Sequence, residues 1–291
     1  MKRCVACGTT FTDRGWSCPV CRHTPAEKGG IPLFAPQLAE DGASGFDAEV
    51  FAELAEVEGG SFWFRARNRL ITWALHRYFP HARSMLEVGC GTGFVSAGVR
   101  RANPSIRLVA GEISTAALDL ARARLPDAEF LQMSASALPY EDEFDVVGAF
   151  DVLEHVEDDD AMLSEMRRAV KRGGGLLITV PQHRFLWSPV DEVSGHKRRY
   201  ARREVLAKIR GAGFRVQRVT SFVSLLLPAM ALERRRMRNH PERYDATAEL
   251  VPGRALTAAM EGVLRLEGAL IRAGVSMPAG GSLLVVARPA E

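Results

Sequence analysis

Glycines and acids near the middle of the chain have the spacing of a site for a nucleotide-type ligand. Gly89, Gly91 and Gly93 follow an apolar run and precede a helical pattern, so the backbone can turn sharply and offer free N–H groups to an anion. Glu87 lies within the apolar run, and Glu112 ends the next one, about 20 residues after the glycines. The pattern predicts a small ligand that carries a carboxylate and a nucleoside. A dinucleotide-binding dehydrogenase shares this much of the pattern.

Three ordered motifs resemble a known family: the glycine turn, the apolar run that ends in Glu112, and a later segment that begins at Phe144. The turn over 87–93 reads E-V-G-C-G-T-G and resembles motif I of the class I S-adenosylmethionine (SAM) methyltransferases. The segment 144–156 reads F-D-V-V-G-A-F-D-V-L-E-H-V and resembles the strand-four segment of that family, which separates it from the dehydrogenases. The resemblance implies a Rossmann-like α/β fold, a seven-stranded sheet whose last strand is antiparallel, and SAM as cofactor.

The same resemblance implies the cofactor contacts. Glu87 is expected to support the amino-acid end of SAM, and Glu112 to accept both ribose hydroxyls. Arg67 ends an F-W-F-x-x-R element and is expected to meet the SAM carboxylate; a solvated or salt-bridged role is the alternative. Ser134 stands where many relatives carry an adenine-binding aspartate, so the adjacent Met133 is the candidate to stack on the ring. The predicted cofactor-binding residues are Arg67, Glu87, Gly89, Cys90, Gly91, Gly93, Glu112, Ile113, Met133, Ser134 and Asp151.

Two histidines are candidate general bases for a hydroxyl acceptor. His155 resembles the histidine in the D-x-L-E-H segment of ubiquinone-type O-methyltransferases; a structural hydrogen bond at a helix start is the alternative. The same turn offers a divalent ion the side chains of Asp151, Glu154 and His155. His196 lies in the loop 187–200.

This loop resembles the D-x-x-x-G-H-x-R-R-Y stretch of uncharacterised bacterial methyltransferases. By that resemblance His196, Arg199 and Tyr200 are expected on the acceptor side, and a solvated basic loop is the alternative.

Two C-x-x-C pairs at the N-terminus predict a metal site. Their cysteines are Cys4, Cys7, Cys18 and Cys21. Four thiolates from two tight turns can surround one Zn²⁺ tetrahedrally, which predicts a zinc ribbon with a closed, structural ion. Two disulfides or a redox pair are the alternatives, and a reducing cytosol disfavours the first. About 35 residues cannot bury a sufficient core, so zinc must stabilise this part.

Strands that alternate with helices after residue 81 predict a doubly wound sheet with ligands at the carboxyl ends of its strands. The expected organisation is a zinc ribbon (1–36), a linker and helical cap (37–80) and the methyltransferase domain (81–291). A two-helix insertion (222–280) precedes the last strand. Its apolar stripes predict core packing, with a lid over a greasy acceptor or a peripheral membrane contact as alternatives.

Composition narrows the function classes. The formal net charge of +3 is too mild to require nucleic acid, and 47% hydrophobic residues fit a globular chain. No apolar run of about 20 residues occurs, which predicts a cytoplasmic protein. The expected function is SAM-dependent O- or N-methylation of a small-molecule, glycan or lipid-like acceptor. The alternatives are an rRNA or tRNA methyltransferase that uses the ribbon to bind RNA, and a non-catalytic scaffold.

Overall fold

Apolar runs that alternate with amphipathic segments form the predicted sheet and its flanking helices. The computed structural model describes residues 1–40, 48–239 and 253–290. The strands are β1 (Lys2–Arg3), β2 (Thr10–Phe11), β3 (Ala26–Lys28), β4 (Ile31–Leu33), β5 (Ser84–Val88), β6 (Arg107–Glu112), β7 (Glu129–Gln132), β8 (Phe144–Phe150), β9 (Val170–Pro181), β10 (Phe214–Phe222) and β11 (Ser282–Pro289). The helices are α1 (Pro36–Glu40), α2 (Ala48–Val57), α3 (Phe62–Tyr78), α4 (Phe94–Ala102), α5 (Thr115–Arg124), α6 (Asp159–Ala169), α7 (Pro189–Val193), α8 (Arg202–Gly211), α9 (Leu227–Asn239) and α10 (Arg254–Arg272).

The seven strands from β5 to β11 lie in the order β10-β11-β9-β8-β5-β6-β7. Strands β5 to β9 pair in parallel, and β11 is antiparallel to both β9 and β10. The predicted class I methyltransferase sheet and its antiparallel last strand are therefore confirmed. In this register Val88 lies opposite Gly111 on β6 and Ala149 on β8. The carboxyl ends of these three strands consequently meet at one edge, which brings Glu87, Glu112 and Asp151 together.

A hairpin from the predicted ribbon region extends this sheet by two strands. Strand β4 pairs in parallel with β7, Leu33 opposite Gln132, and β3 pairs with β4. The Gln132 side chain accepts from the Ala35 backbone N–H at 2.9 Å and donates to the carbonyls of Ala35 (2.8 Å) and Ile113 (3.0 Å). The hairpin thus covers the edge of β7, which would otherwise expose unpaired backbone groups.

Strand β9 follows α6 directly: it begins at Val170 and contains the three consecutive glycines Gly173, Gly174 and Gly175. A Cβ at Gly175 would lie 2.2 Å from the Phe79 ring, so the absence of a side chain there serves close packing. The predicted linker begins with α1, and its residues 41–47 lie outside the described residues. The predicted helical cap forms two helices, α2 and α3.

Two apolar clusters lie on opposite faces of the sheet, as in a doubly wound fold. One includes residues of α3, α4 and α10, and the other residues of α6 and α8. The apolar stripe of α10, which belongs to the predicted insertion, was expected to pack in the core, and this prediction is only partly right. Leu264 is buried, whereas Leu256, Leu266 and Leu270 are exposed. Over the three described ranges, no helix combines the length and apolar character needed to cross a membrane.

Candidate active site

A cavity of about 1140 Å³ opens where the carboxyl ends of β5, β6 and β8 meet. Residues of α2, α3, α9 and α10 also line it. Its volume exceeds the range of roughly 300–1000 Å³ that is usual for a pocket holding one drug-sized ligand. Ten of the predicted cofactor-binding residues line it, the exception being Gly93, which precedes α4. His155 and His196 line it as well. Residues distant in sequence are thus brought to one cavity.

The glycine turn has the left-handed backbone that its composition predicts. The φ angles of Gly89, Gly91 and Gly93 are 71°, 51° and 75°. A Cβ at Gly89 would lie 2.6 Å from a methyl group of Val152, so a side chain is excluded by both conformation and space. The turn is fixed to β6, because the N–H groups of Gly89 and Cys90 donate to the Gly111 carbonyl at 2.8 and 3.0 Å.

Glu112 is held at the end of β6 by backbone donors. Its carboxylate accepts from the N–H groups of Gly91 (2.9 Å), Ile113 (2.7 Å) and Ser114 (3.1 Å). Burial raises the pKa of Glu112, and these hydrogen bonds oppose that rise. A carboxylate offers about four lone-pair positions, so this one retains capacity for a ligand hydroxyl.

Glu87 is a buried acid behind the glycine turn. Only 2% of its surface is exposed, and it accepts a hydrogen bond from the Ser96 hydroxyl. Burial raises the pKa of Glu87 to about 7. A positive group near Glu87 stabilises its ionised form, which is the effect expected of a ligand ammonium.

Arg67 and Asp151 form an ion pair across the cavity. The Arg67 guanidinium also lies over the Trp63 ring at 4.5 Å, and the Thr179 hydroxyl donates to Asp151 at 2.9 Å. Asp151 has a φ of 59°, a conformation that is uncommon for residues other than glycine. The structure thus shows Arg67 in a salt bridge, which was the alternative to contact with SAM, although the salt bridge lies within the predicted cofactor site. A contact between Arg67 and the SAM carboxylate stays a prediction.

The two candidate bases lie together at the cavity wall. The rings of His155 and His196 meet edge to face with centroids 4.8 Å apart. Burial, followed by the nearby His196, lowers the pKa of His155 to about 4. His196 bonds through Nδ1 to Oδ1 of Asp191 at 2.8 Å. The neighbouring Glu154 is fully buried, and burial raises its pKa.

A network of hydrogen bonds around Asp191 holds His196 in place, and it was not predicted from the sequence. Asp191 is fully buried and accepts from Arg199 Nε at 2.6 Å and from the Ser188 N–H at 3.0 Å. The D-x-x-x-G-H spacing was the available signal, since it places an acid five residues before the histidine. The expectation that Tyr200 faces an acceptor is wrong: it is fully buried, and its hydroxyl donates to Asp159 at 2.7 Å. The Tyr200 hydroxyl therefore holds the loop 187–200 against α6, which is a structural role.

The four N-terminal cysteines converge as predicted. Their sulfur atoms lie within 4.8 Å of one another, with Cys4–Cys21 and Cys7–Cys18 separations of 3.6 Å. Tetrahedral zinc with Zn–S bonds of about 2.3 Å places its sulfurs roughly 3.8 Å apart. All four cysteines are free thiols. The donor set and its spacing fit one zinc ion.

Known proteins resemble the central part of this chain. Residues 86–178 match the family described as a methyltransferase domain. A probable SAM-dependent methyltransferase of Mycolicibacterium smegmatis is 29% identical over 161 residues, which are 54% of this chain and 61% of that protein. A ubiquinone biosynthesis O-methyltransferase of Pseudomonas entomophila is 32% identical over 108 residues, 36% of this chain and 47% of the other. The chain therefore spans about half to three fifths of these relatives.

A solved structure supports the fold. The [4+2]-cyclase SpnF superposes with a TM-score of 0.56 at 20% identity, over 89% of this chain and 98% of that one. At this identity the likeness shows the fold alone, and its name shows that the fold also hosts other chemistry. The family match, the glycine turn and the two acids at their strand ends agree. This chain contains a class I SAM-dependent methyltransferase domain.

Proposed function

We propose that the protein transfers the methyl group of SAM to a small, largely apolar acceptor by O- or N-methylation. The observation that carries this proposal is the extent of the cavity beyond the cofactor residues. It continues into a chamber with apolar walls from the loop 187–200, α9 and α10. The chamber is lined by Val193, Leu226, Ala229, Met230, Leu232, Met237, Leu256 and Met260. Methionine-rich walls adapt to varied apolar ligands.

Bound SAM supplies an electrophilic methyl group on a sulfonium sulfur. The described residues fit its polar groups: Glu112 for a ribose hydroxyl, Glu87 for the ammonium and the turn at Gly89 for close backbone contact. The charge of Arg67 acts to lower the pKa of Glu87. Arg67 is the proposed partner of the SAM carboxylate, which would replace Asp151 in its ion pair. Positioning of the acceptor against this methyl group accounts for most of the rate in such a reaction.

The acceptor is proposed to meet the cavity's polar wall. Glu154, His155 and His196 form this wall, and the chamber lies beside it. A hydroxyl acceptor must lose a proton during transfer, and His155 and His196 are the candidate bases that face it. Asp191 fixes the orientation of the His196 ring. The relative named for ubiquinone biosynthesis supports a small-molecule acceptor.

RNA is a less favoured acceptor because two of the five cations in residues 1–36, Lys2 and Arg3, already contact protein groups. Lys2 Nζ donates to the carbonyls of Asp13, Arg14 and Gly15 at 2.9, 2.6 and 2.8 Å. Arg3 lies 3.9 Å from the Glu141 carboxylate. Cations that satisfy protein groups are less available to phosphates.

Methyl-labelled SAM tests the proposal. The protein is incubated with labelled SAM and either the organic-soluble or the RNA fraction of a bacterial extract. We expect protein-dependent label in the organic fraction, in a compound of low molecular weight, because the chamber is apolar. Label in RNA, or in neither fraction while SAM is bound, would contradict the proposed acceptor class.

We further propose that zinc stabilises the N-terminal module through Cys4, Cys7, Cys18 and Cys21. The buried apolar cluster around the site contains only Cys4, Phe11 and Cys18, too little to hold the segment by burial. Replacing Cys18 by Ser should remove about one equivalent of zinc per chain, measured by plasma mass spectrometry. Amide protection should fall over residues 2–23 and persist in β8. Cys90→Ser is the control and should keep its zinc; equal zinc in the two variants would refute the assignment.

A further inference from the structure

Two separate segments bring Glu154, His155 and His196 together at the cavity wall. The first two follow β8, and His196 belongs to the loop 187–200. One potential ligand atom from each of the three residues lies within 4.8 Å of the other two. All three residues line the cavity, so a ligand in the cavity can reach them. Two imidazoles and a carboxylate are donors that bind divalent transition metals.

Glu154 points to a missing ligand. Its side chain is fully buried, and neither carboxylate oxygen accepts a hydrogen bond from the described residues. The nearest basic side chain is His196, whose Nε2 lies 3.9 Å from Oε1 of Glu154, beyond hydrogen-bonding distance. A buried carboxylate without partners is unfavourable, whereas a bound cation would satisfy both oxygens.

His196 is already oriented as a metal ligand. Its Nδ1 is bonded to Asp191, so that Nε2 is the nitrogen directed toward Glu154. Asp191 is in turn fixed by Arg199 and by the Ser188 backbone. A carboxylate bonded to the distal nitrogen of a histidine is the usual support for a metal-binding imidazole, since it sets the tautomer and the ring orientation.

We propose that Glu154, His155 and His196 bind one divalent transition-metal cation in the cavity wall. This set differs from the one predicted from sequence, because Asp151 is engaged by Arg67 and Thr179 and His196 takes its place. Three protein ligands leave coordination positions open toward the cavity. On the proposed function, an acceptor hydroxyl occupies one of them. The ion lowers the pKa of that hydroxyl, and its proton passes to water in the cavity while the histidines hold the ion. The acceptor oxygen then bonds to the methyl carbon as the bond from that carbon to the sulfonium sulfur breaks.

Manganese is the probe that separates this site from the cysteines. Carboxylate ligands suit Mn²⁺, whereas four thiolates select zinc. The full chain, with its cysteines loaded with zinc, is titrated with Mn²⁺, and free Mn²⁺ is followed by electron paramagnetic resonance. We expect one bound equivalent. Glu154→Gln should weaken Mn²⁺ binding at least 10-fold, and Asp191→Asn by about 10-fold, the effect usual for a group that supports a ligand.

Glu157→Gln is the matched control, because Glu157 is an exposed acid that also lines the cavity. It should bind Mn²⁺ as the unmodified chain does. SAM binding by Glu154→Gln checks that this variant is folded. No Mn²⁺ binding by the unmodified chain, or equal binding by Glu154→Gln, would overturn the metal site. Methyl transfer without Mn²⁺ binding would leave the proposed function standing, whereas Mn²⁺ binding without methyl transfer would count against the proposed function alone.

Discussion

Replacement of Glu112 by Gln is expected to weaken SAM binding by about 10- to 100-fold in isothermal titration calorimetry. The carboxylate is proposed to accept a hydrogen bond from the ribose at the position that its three backbone donors leave open. A hydrogen bond to a charged group contributes roughly 1.5–3 kcal/mol, so the loss of one accounts for an effect of this size. Gln keeps the length of the side chain but replaces one acceptor oxygen by a donor. That nitrogen cannot accept from the Gly91 or Ile113 N–H, which disturbs the turn as well.

Glu129→Gln is the control for Glu112. Glu129 lies on the adjacent strand β7, and its carboxylate pairs with Arg107 at the surface, 2.8 Å from the guanidinium. Its replacement should leave the SAM affinity within about twofold of that of the unmodified chain, because exposed ion pairs contribute little to stability. SAM binding by Glu112→Gln at the affinity of this control would show that the ribose lies elsewhere.

Replacement of Gly89 by Ala should abolish measurable SAM binding and lower the melting temperature by several degrees. The new Cβ would stand 2.6 Å from Val152, in a backbone conformation with φ of 71°. The left-handed conformation costs roughly 1–2 kcal/mol for a residue with a Cβ, and overpacking roughly 1–3 kcal/mol more. Relief of the contact must move the turn or Val152, both of which line the cavity. Differential scanning fluorimetry with and without SAM measures both effects.

Gly262→Ala is the matched control for the same substitution. Gly262 lies within α10, and a Cβ there meets no atom within 4 Å. Alanine should raise stability slightly, by up to about 1 kcal/mol, because glycine is unfavourable in a helix interior. If SAM raised the melting temperature of Gly89→Ala as much as that of Gly262→Ala, the proposed role of the turn would be contradicted.

Local features made part of this structure predictable. The glycine turn, its two acids and the paired cysteines each combine residue types whose spacing already restricts the backbone or the donor set. The doubly wound sheet followed from strands and helices that alternate. By contrast, β4 is three residues long and pairs with a strand about a hundred residues away. A strand of three residues is too short to show the alternation of apolar and polar residues that predicts a strand, and its sequence does not indicate which strand it pairs with.

The acceptor side was less predictable because it depends on distant contacts. The His155 and His196 candidates followed from resemblance, but the proximity of His196 to Glu154 arises only when the loop 187–200 folds back over β8. The burial of Glu154 and the ion pair between Arg67 and Asp151 likewise depend on contacts between segments that are distant in the sequence. Apolar stripes in the insertion could not distinguish core from chamber wall, since Leu264 packs inward while Leu256 lines the cavity.

The most direct test of the central claim is calorimetric titration of the unmodified chain with SAM. The geometry around Gly89 and Glu112 predicts one SAM bound per chain. We expect a dissociation constant of roughly 1 μM to 1 mM, the range in which KM values of enzymes usually fall. The product, SAM without its methyl group, should compete for the same site. A folded chain that binds neither molecule would contradict the account.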